Sequence, residues 1–305
     1  MTDILVIGSL NADLVVRAPR FPSPGETISG EDMQIVPGGK GANQAVAAAR
    51  LGASVSMLGR VGNDSFGDFL VRNLQSNNVI TQLVRRDDAS TGTAIIVVDS
   101  NGQNSIVLSP GANGKVFPAD LETVSFSAFN LLLLQLEIPL ETVLRAAQRA
   151  KENGMRVILN PAPARHLPDE LITLADFLIP NEIELSLLTG MSVKDVVSAE
   201  TAAQTLIAHG AQNVIVTLGA NGALMVTNEE VKHIPPFKAR VVDTTAAGDA
   251  FIGGFAAAML RGLKLDETVY YANACGALAT TRFGAQPSLP TKEEAKRFLS
   301  LRGGA

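Results

Sequence analysis

The sequence predicts an α/β fold: a three-layer arrangement with a mostly parallel central sheet between helices, and a small second β-sheet set over its binding edge. Three observations carry this. Short apolar runs ending in Gly, Asn or Pro recur along the 305 residues, helical patterns stand between them, and two stretches break the alternation with β-branched residues of their own. Strands that are apolar at nearly every residue are buried on both faces, which is the mark of a parallel sheet between helical layers.

Taken in order, the runs are "DILVIGS" (3–9), "ASVSMLG" (53–59), "NLLLLQL" (130–136), "MRVILNP" (155–161), "DFLIPN" (176–181) and "NVIVTLG" (213–219). Helical periodicity appears in "NQAVAAARLG" (43–52), "PLETVLRAAQRAKENG" (139–154) and "AETAAQTLIAHG" (199–210), the last two closing on glycine as helices often do. In such sheets ligands bind beyond the carboxyl ends of the strands. The exceptions lie within residues 12–36 and 92–109, the second reading as a hairpin that turns at "SNGQN". Both are expected to form strands outside the main sheet, as a lid over the binding face. No Pro/Gly/Ser linker and no repeat interrupts the chain, so residues 1–305 are expected to form a single domain carrying that lid.

Composition narrows the function. A hydrophobic fraction of 46% describes a folded globular chain. The formal net charge of −5 argues against a nucleic-acid or anionic-membrane partner, so any polyanion must be met by a local site. Cys275 is the sole cysteine, which suits a reducing cytoplasm. His166, His209 and His233 have no neighbour at zinc-ligand spacing. The opening "MTDILVIGS" places an acid where an export signal wants a basic segment, and no run approaches the length of a membrane span.

Residues 241–251, "VVDTTAAGDAF", pose a chemical question: why does Asp249 stand just inside an apolar helix? A helix beginning near Ala246 presents the free N–H groups of Ala246, Ala247, Gly248 and Asp249 with the positive end of its dipole. Small side chains there let a phosphate approach the backbone, and Asp249, one turn in, can take a proton from an acceptor hydroxyl. A plainer account fits the same residues: Thr244 or Thr245 caps a buried helix, and Asp249 complements its dipole.

A second stretch, "VPGGKGANQAVAAARLG" (36–52), opens a helix on a glycine-rich turn around Lys40. It lacks the G-x-x-x-x-G-K-[ST] spacing of a P-loop, and no dinucleotide fingerprint follows the first strand. By itself the turn is an ordinary tight turn.

Together, "GGKGANQA" and "DTTAAGDAF" resemble the two signatures of the ribokinase family, the phosphofructokinase-B group of carbohydrate kinases. The resemblance runs along essentially the whole chain, through "GSLNAD" (8–13), "FPSPGET" (21–27), "QLE" (135–137), "NPAP" (160–163), "PNEIE" (180–184), "TLG" (217–219) and "GAQPS" (284–288). It implies a ribokinase-like α/β/α sandwich and an ATP-dependent sugar kinase. The extended match points to transfer onto the O5 hydroxyl of D-ribose, giving D-ribose 5-phosphate. A sibling kinase for deoxyribose, another pentose, a hexose or a nucleoside shares the same machinery. A sugar-binding protein that has lost catalysis is the alternative from a different class, disfavoured by the retained Asp249 and its small neighbours.

The resemblance also assigns roles. Asn11, Asp13, Gly39, Lys40, Asn43 and Glu137 are expected to hold the sugar, with Asp249 as base and the 246–249 backbone as anion hole. Each donor of such a hole is worth about 3–4 kcal/mol by analogy with oxyanion sites. Asn181, Thr217, Gly219, Gly222, Gly248 and Asn273 match nucleotide-binding positions, and "TLGANG" (217–222) can offer backbone amides to phosphates. The family reads the base loosely, and no aromatic stands at an obvious stacking position. Magnesium is expected to arrive with ATP, with Glu184 as an outer-shell acid or simply a first-turn helix acid. Potassium is implied by the family, held by side-chain oxygens of Asp243 and Ser288 and carbonyls of Thr245, Ala279, Arg282 and Gly284. Ala250 departs from the Thr or Ser common after the catalytic acid, behind the reacting face. Edge strands in the lid predict a homodimer that covers them.

Overall fold

The computed structural model describes residues 3–301. Its strands, in chain order, are β1 (Ile4–Ile7), β2 (Asn11–Arg17), β3 (Gln34–Gly38), β4 (Val55–Gly62), β5 (Val79–Asp87), β6 (Gly92–Val98), β7 (Asn104–Ser109) and β8 (Leu131–Leu134). There follow β9 (Arg156–Leu159), β10 (Phe177–Leu178), β11 (Asn213–Thr217), β12 (Ala223–Thr227) and β13 (Val231–Ile234). The helices are α1 (Lys40–Arg50), α2 (Ser65–Ser76), α3 (Leu140–Glu152), α4 (Asp169–Leu174), α5 (Glu182–Thr189), α6 (Val196–Ala208), α7 (Ala247–Leu260), α8 (Leu265–Ala279) and α9 (Lys292–Ser300).

Nine strands form the large sheet in the order β13-β12-β11-β10-β9-β8-β1-β4-β5. From β11 to β5 neighbouring strands run parallel; β12 and β13 fold back antiparallel at one edge. Every residue of β1 and β8 is fully buried, and side chains of β1 alternate between two cores. Ile4 and Val6 join Val46 of α1, Leu70 of α2 and Phe255 of α7 on one face. Leu5 and Ile7 join Val143 of α3, Leu171 of α4 and Ala202 of α6 on the other. Burying each of the Ile, Leu, Val and Phe side chains among them stabilises the fold by about 1.5–3 kcal/mol before entropy is counted.

The chain runs from β1 to β4 on one side and later returns to β8 on the other, so the strand order reverses between β1 and β8. The segments at 8–10 and 135–137 leave the carboxyl ends of these two strands at that point, the place where open α/β sheets bind their ligands.

Both interrupting stretches belong to a second sheet, order β3-β2-β6-β7. β6 and β7 form the expected hairpin, and β2 joins it by parallel pairing with β6. Three strands of the large sheet had no clear signal in the sequence. β5, "VITQLVRRD", is a half-exposed edge strand with charges in it, and β12 and β13 form a hairpin where helix–strand alternation stops.

Candidate active site

The glycine-rich turn is shaped by what it touches. Gly39 has φ 88°, and a Cβ there would lie 2.7 Å from the Asn11 backbone nitrogen; one on Gly41 would lie 2.7 Å from that of Ser9. The turn is therefore pressed onto the residues leaving β1, which brings Asn11, Asp13, Lys40 and Glu137 into one region. Ser9 Oγ donates to Glu137 Oε2 at 2.5 Å and the Lys40 backbone N–H donates to the same oxygen at 3.1 Å, closing the strand-order switch. Asn11 is held by Asn113, whose Nδ2 donates to its Oδ1 at 2.7 Å. That bond occupies the Asn11 carbonyl oxygen and leaves its amide NH2 as the available donor.

The electrostatics of this cluster are unusual. Burial, then the charges of Glu137 and Asp249, push the Asp13 carboxyl from its ordinary 3.8 up to about 7, against the pull of Lys40. Burial works against the Lys40 charge, yet Asp249, Glu137, Glu184 and Asp13 outweigh it and raise its pKa. One ammonium thus serves four carboxylates.

At the head of α7 the capping account fails. The N-cap residue is Ala246, in the left-handed conformation at φ 59°, and no side chain caps it. Thr245 turns away, its hydroxyl donating to Asp243 at 2.6 Å. A non-glycine residue in that region costs on the order of 1–3 kcal/mol, and such strain gathers where function requires a backbone shape. One expectation is corrected. The Ala247 N–H is spent on the Thr244 carbonyl at 3.2 Å, so the N–H groups of Ala246, Gly248 and Asp249 are the ones without a partner among the described residues.

Asp249 itself is buried, and each carboxylate oxygen accepts an amide proton: Oδ2 from Asn43 Nδ2 at 2.9 Å, Oδ1 from Gln44 Nε2 at 3.0 Å. Burial raises its pKa, while Lys40, Asn43 and Gln44 oppose the rise. Asn43, expected on the sugar, has its amide NH2 on the acid, and its Oδ1 has no partner among the described residues. Gln44, Gln135, Ser9 and Asn113 were missed by sequence reasoning. A signal existed for two of them, since Gln44 and Gln135 are polar residues inside apolar runs, and such groups are buried only with hydrogen-bond partners.

A polar chamber of about 210 Å³ lies against Asp249, lined by Lys40, Asn160, Glu184, Ala246 and Gly248 among others. It adjoins a cleft of about 670 Å³ that shares Asn181, Thr217, Thr244 and Gly248 with it. Asn181, Thr217, Gly219, Gly222, Gly248 and Asn273 all line the cleft. Asn273 is turned there by donating to the Pro235 carbonyl at 2.9 Å, and Gly222, φ 85°, by the close approach of Ile234. Phe237 also lines the cleft, packed on Tyr270 with ring centroids 4.8 Å apart. This aromatic, carried by an irregular loop, had no signal in the sequence.

Glu184 and Asn181 cap α5 reciprocally: Glu184 Oε2 accepts the Asn181 backbone N–H at 2.9 Å, and Asn181 Oδ1 accepts that of Glu184 at 2.8 Å. Glu184 is thus a helix-capping acid that also faces the chamber, and burial raises its pKa. Beside α7, Asp243 accepts from the Thr245 N–H and hydroxyl and, at 2.9 Å, from the Gly284 N–H. Those bonds hold its pKa below the usual value although burial pulls the other way. Ser288 is buried, its hydroxyl donating to the Ala285 carbonyl, and Ala279 and Arg282 bracket the end of α8, joined by a long 3.4 Å backbone bond. Among the described residues no group of three or more His, Cys, Asp or Glu side chains is placed to hold a metal, and no helix is long and apolar enough to cross a membrane.

Known proteins share this architecture and these motifs. Residues 1–292 match the pfkB family carbohydrate kinase profile. The chain belongs to the pfkB family of carbohydrate kinases. Within that family it is 43% identical over 299 residues to a ribokinase of Haemophilus influenzae, covering 97% of this chain and 98% of the relative. It is 42% identical over 303 residues to a deoxyribokinase of Salmonella typhi, covering 98% and 99%. The structure of an Arabidopsis thaliana ribokinase complexed with ribose and ATP superposes with a TM-score of 0.91 at 36% identity, covering 98% and 99%. A pfkB carbohydrate kinase transfers phosphate to a sugar, and the cleft and its polar chamber are where that chemistry is to be sought.

Proposed function

We propose that this chain transfers the γ-phosphoryl group of ATP to the O5 hydroxyl of D-ribose, with Asp249 as general base. The observation that carries the proposal is the pairing of a buried, amide-held carboxylate with uncapped N–H groups at the head of α7. The O5–Pγ bond forms as the bond from Pγ to the ADP oxygen breaks, and the hydroxyl proton passes to Asp249. Lys40, raised in pKa by the surrounding carboxylates, remains charged and faces the transferring group. The free N–H groups of Ala246, Gly248 and Asp249 stabilise the charge that develops on phosphate oxygens. Asn11 and Asp13 read sugar hydroxyls from one side, Gly39, Asn43 and Glu137 from the other. The full resemblance to ribokinases supports ribose, and the near-equal similarity to a deoxyribokinase makes 2-deoxyribose the second substrate to try.

ATP belongs in the larger cleft, its phosphates toward Gly219, Gly222 and Gly248, its base toward Phe237. Magnesium would neutralise phosphate charge, and beside the base Asp249 the chamber offers it one further acid, Glu184, in keeping with an ion held mostly by phosphates and water. For a monovalent cation the donor set fits: a single carboxylate, Asp243, beside a hydroxyl and carbonyls suits a weakly charged, oxygen-seeking ion such as potassium. Ser288, Thr245, Ala279, Arg282 and Gly284 would complete it.

In this reading the chain is one domain whose small sheet acts as the lid. Ile35, Ile95, Ile106, Val107 and Leu108 of that sheet are exposed, Val107 at 64%, which supports a homodimer closing lid on lid. Sedimentation velocity at micromolar concentration is expected to show the dimer, and a strictly monomeric profile removes it. The buried, lone Cys275 supports a cytoplasmic setting.

Asp249→Asn tests the mechanism. The variant is expected to lose turnover by about 10²- to 10⁴-fold, the usual worth of a general base, while binding ribose within a few-fold of the parent. Near-parental kcat would remove Asp249 from the role.

A further inference from the structure

Two glutamines with no exposure at all stand behind Asp249. Gln44, on α1, gives its Nε2 to Asp249 Oδ1 at 3.0 Å and to Asn160 Oδ1 at 3.2 Å. Its carbonyl oxygen accepts from Gln135 Nε2 at 2.6 Å. Asn160 is fixed in turn, its Nδ2 donating to the Ile179 carbonyl at 3.0 Å. Every group in this chain has one permitted orientation. Were the Gln44 amide reversed, its oxygen would face a carboxylate and a carbonyl, and its NH2 would face the NH2 of Gln135.

Gln135 is the end of the chain and the costly member. Its own Oε1 has no partner among the described residues, so a buried acceptor gives up its water without gaining a hydrogen bond. The fold is also shaped around it, because a Cβ on Gly8 would lie 2.0 Å from that oxygen. An apolar residue at 135 would fill the same space at the end of β8 without the penalty. What the glutamine supplies is a donor that points the next amide at the acid.

We propose that Gln44 is a positioning residue for phosphoryl transfer, locking the Oδ1 edge of Asp249, and that Gln135 acts through it by setting which end of its amide faces the acid. This rests on Asp249 being the base. With Asn43 on Oδ2 and Gln44 on Oδ1, the carboxylate cannot turn about its χ2 axis. Its remaining lone pairs face the chamber, where the sugar hydroxyl and the γ-phosphate meet. The same two donors favour the ionised form in a site whose burial disfavours it.

The experiment compares Gln44→Met, Gln135→Met and the double variant of the full chain, with ATP, Mg²⁺, K⁺ and ribose across pH 5–9. Gln44→Met keeps length and loses the donor. Its kcat is expected to fall on the order of 10- to 100-fold, the cost of a misaligned catalytic group, with the KM for ribose within about threefold. The acidic limb of kcat/KM is expected to move to higher pH, since Asp249 then keeps its proton longer. Gln135→Met moves the same quantities less, and the double variant matches Gln44→Met because Gln135 has no other route to the acid. Parental kcat and pH limb in Gln44→Met overturn the proposal, as do losses that multiply in the double variant. If Gln44→Met does not fold, Gln135→Met decides alone: an unmoved limb overturns the proposal. Asp249→Asn is assayed alongside. If it retains turnover, the base assignment has failed; if it is inactive while Gln44→Met is normal, only the positioning role has failed.

Discussion

Gly38 and Asp13 lie diagonally across the β2–β3 pair, Gly38 opposite Asn11 and Asp13 opposite Val36, and so closely that a Cβ on Gly38 would stand 2.0 Å from Asp13 Oδ2. The glycine is therefore a condition for where the acid points, and the first prediction follows from it. In Gly38→Ala the carboxylate must move. The KM for ribose is expected to rise about tenfold or more, at the roughly 1–3 kcal/mol typical of overpacking, while ATP binding to the sugar-free protein is unchanged. Titration calorimetry with each ligand separates the two, and equal ribose affinity in variant and parent contradicts the assignment.

Asp13 also makes stability depend on pH. Folded, it holds its proton up to about 7; unfolded, it releases it near 3.8. Between these values the folded state binds more protons, so its contribution is fully present below the lower value and is lost as pH rises through the higher. Asp13→Asn removes that loss. The sugar-free variant is expected to be more stable than the parent at pH 8 by about 2–4 kcal/mol, with the difference shrinking toward pH 4, and to bind ribose poorly. Urea unfolding across pH 4–8 checks this, and a variant less stable at pH 8 contradicts it.

Gly248 is a glycine the fold does not need. It sits at an ordinary helical angle, and a Cβ there meets nothing within 4 Å because it projects into the cleft. Gly248→Ala is expected to match or exceed the parent's stability by up to about 1 kcal/mol, since alanine is the better helix former. The methyl stands where phosphate must approach, so kcat/KM for ATP should fall at least about tenfold. Unchanged kinetics would remove the head of α7 as the phosphate site.

Asn113 is predicted to act through Asn11. It accepts from the Leu10 N–H at 2.9 Å and donates to the Leu10 carbonyl and to Asn11 Oδ1. Asn113→Ala leaves buried groups unpaired, at about 1–3 kcal/mol each, and frees the Asn11 amide to reverse. A melting curve and a ribose titration should both move, the second by more than stability explains, while ATP affinity holds. An unmoved ribose Kd contradicts the link.

Much of this was legible because the sequence writes its fold and its turns in local chemistry. Apolar strands such as "DILVIGS" and "NLLLLQL" announced the buried sheet, and "GGKGANQA" and "DTTAAGDAF" announced the two helix starts that meet at Asp249. β5 and β13 escaped because they are half-exposed and carry polar residues, which blurs the period; β12 is apolar and buried, but it is five residues long and folds straight back antiparallel on β11, outside the helix–strand alternation. The support of the site escaped for a different reason. Gln44 and Gln135 lie 91 positions apart, and only the register of β8 beside β1, with α1 laid over them, makes them neighbours. Ala246 could not be read as left-handed, because nothing in alanine favours that conformation; the surrounding loop imposes it.

The most direct test of the central claim is ADP release, coupled to a spectrophotometric readout, with ATP, Mg²⁺ and K⁺ against ribose, 2-deoxyribose, arabinose, fructose and adenosine. Turnover is expected, with the highest kcat/KM for ribose and with phosphate on its O5 by phosphorus NMR. A higher value for another member of the panel would keep the mechanism and replace the substrate. No ADP release from any of them, with ribose still raising the melting temperature, would contradict the kinase assignment and leave a sugar-binding protein on this fold.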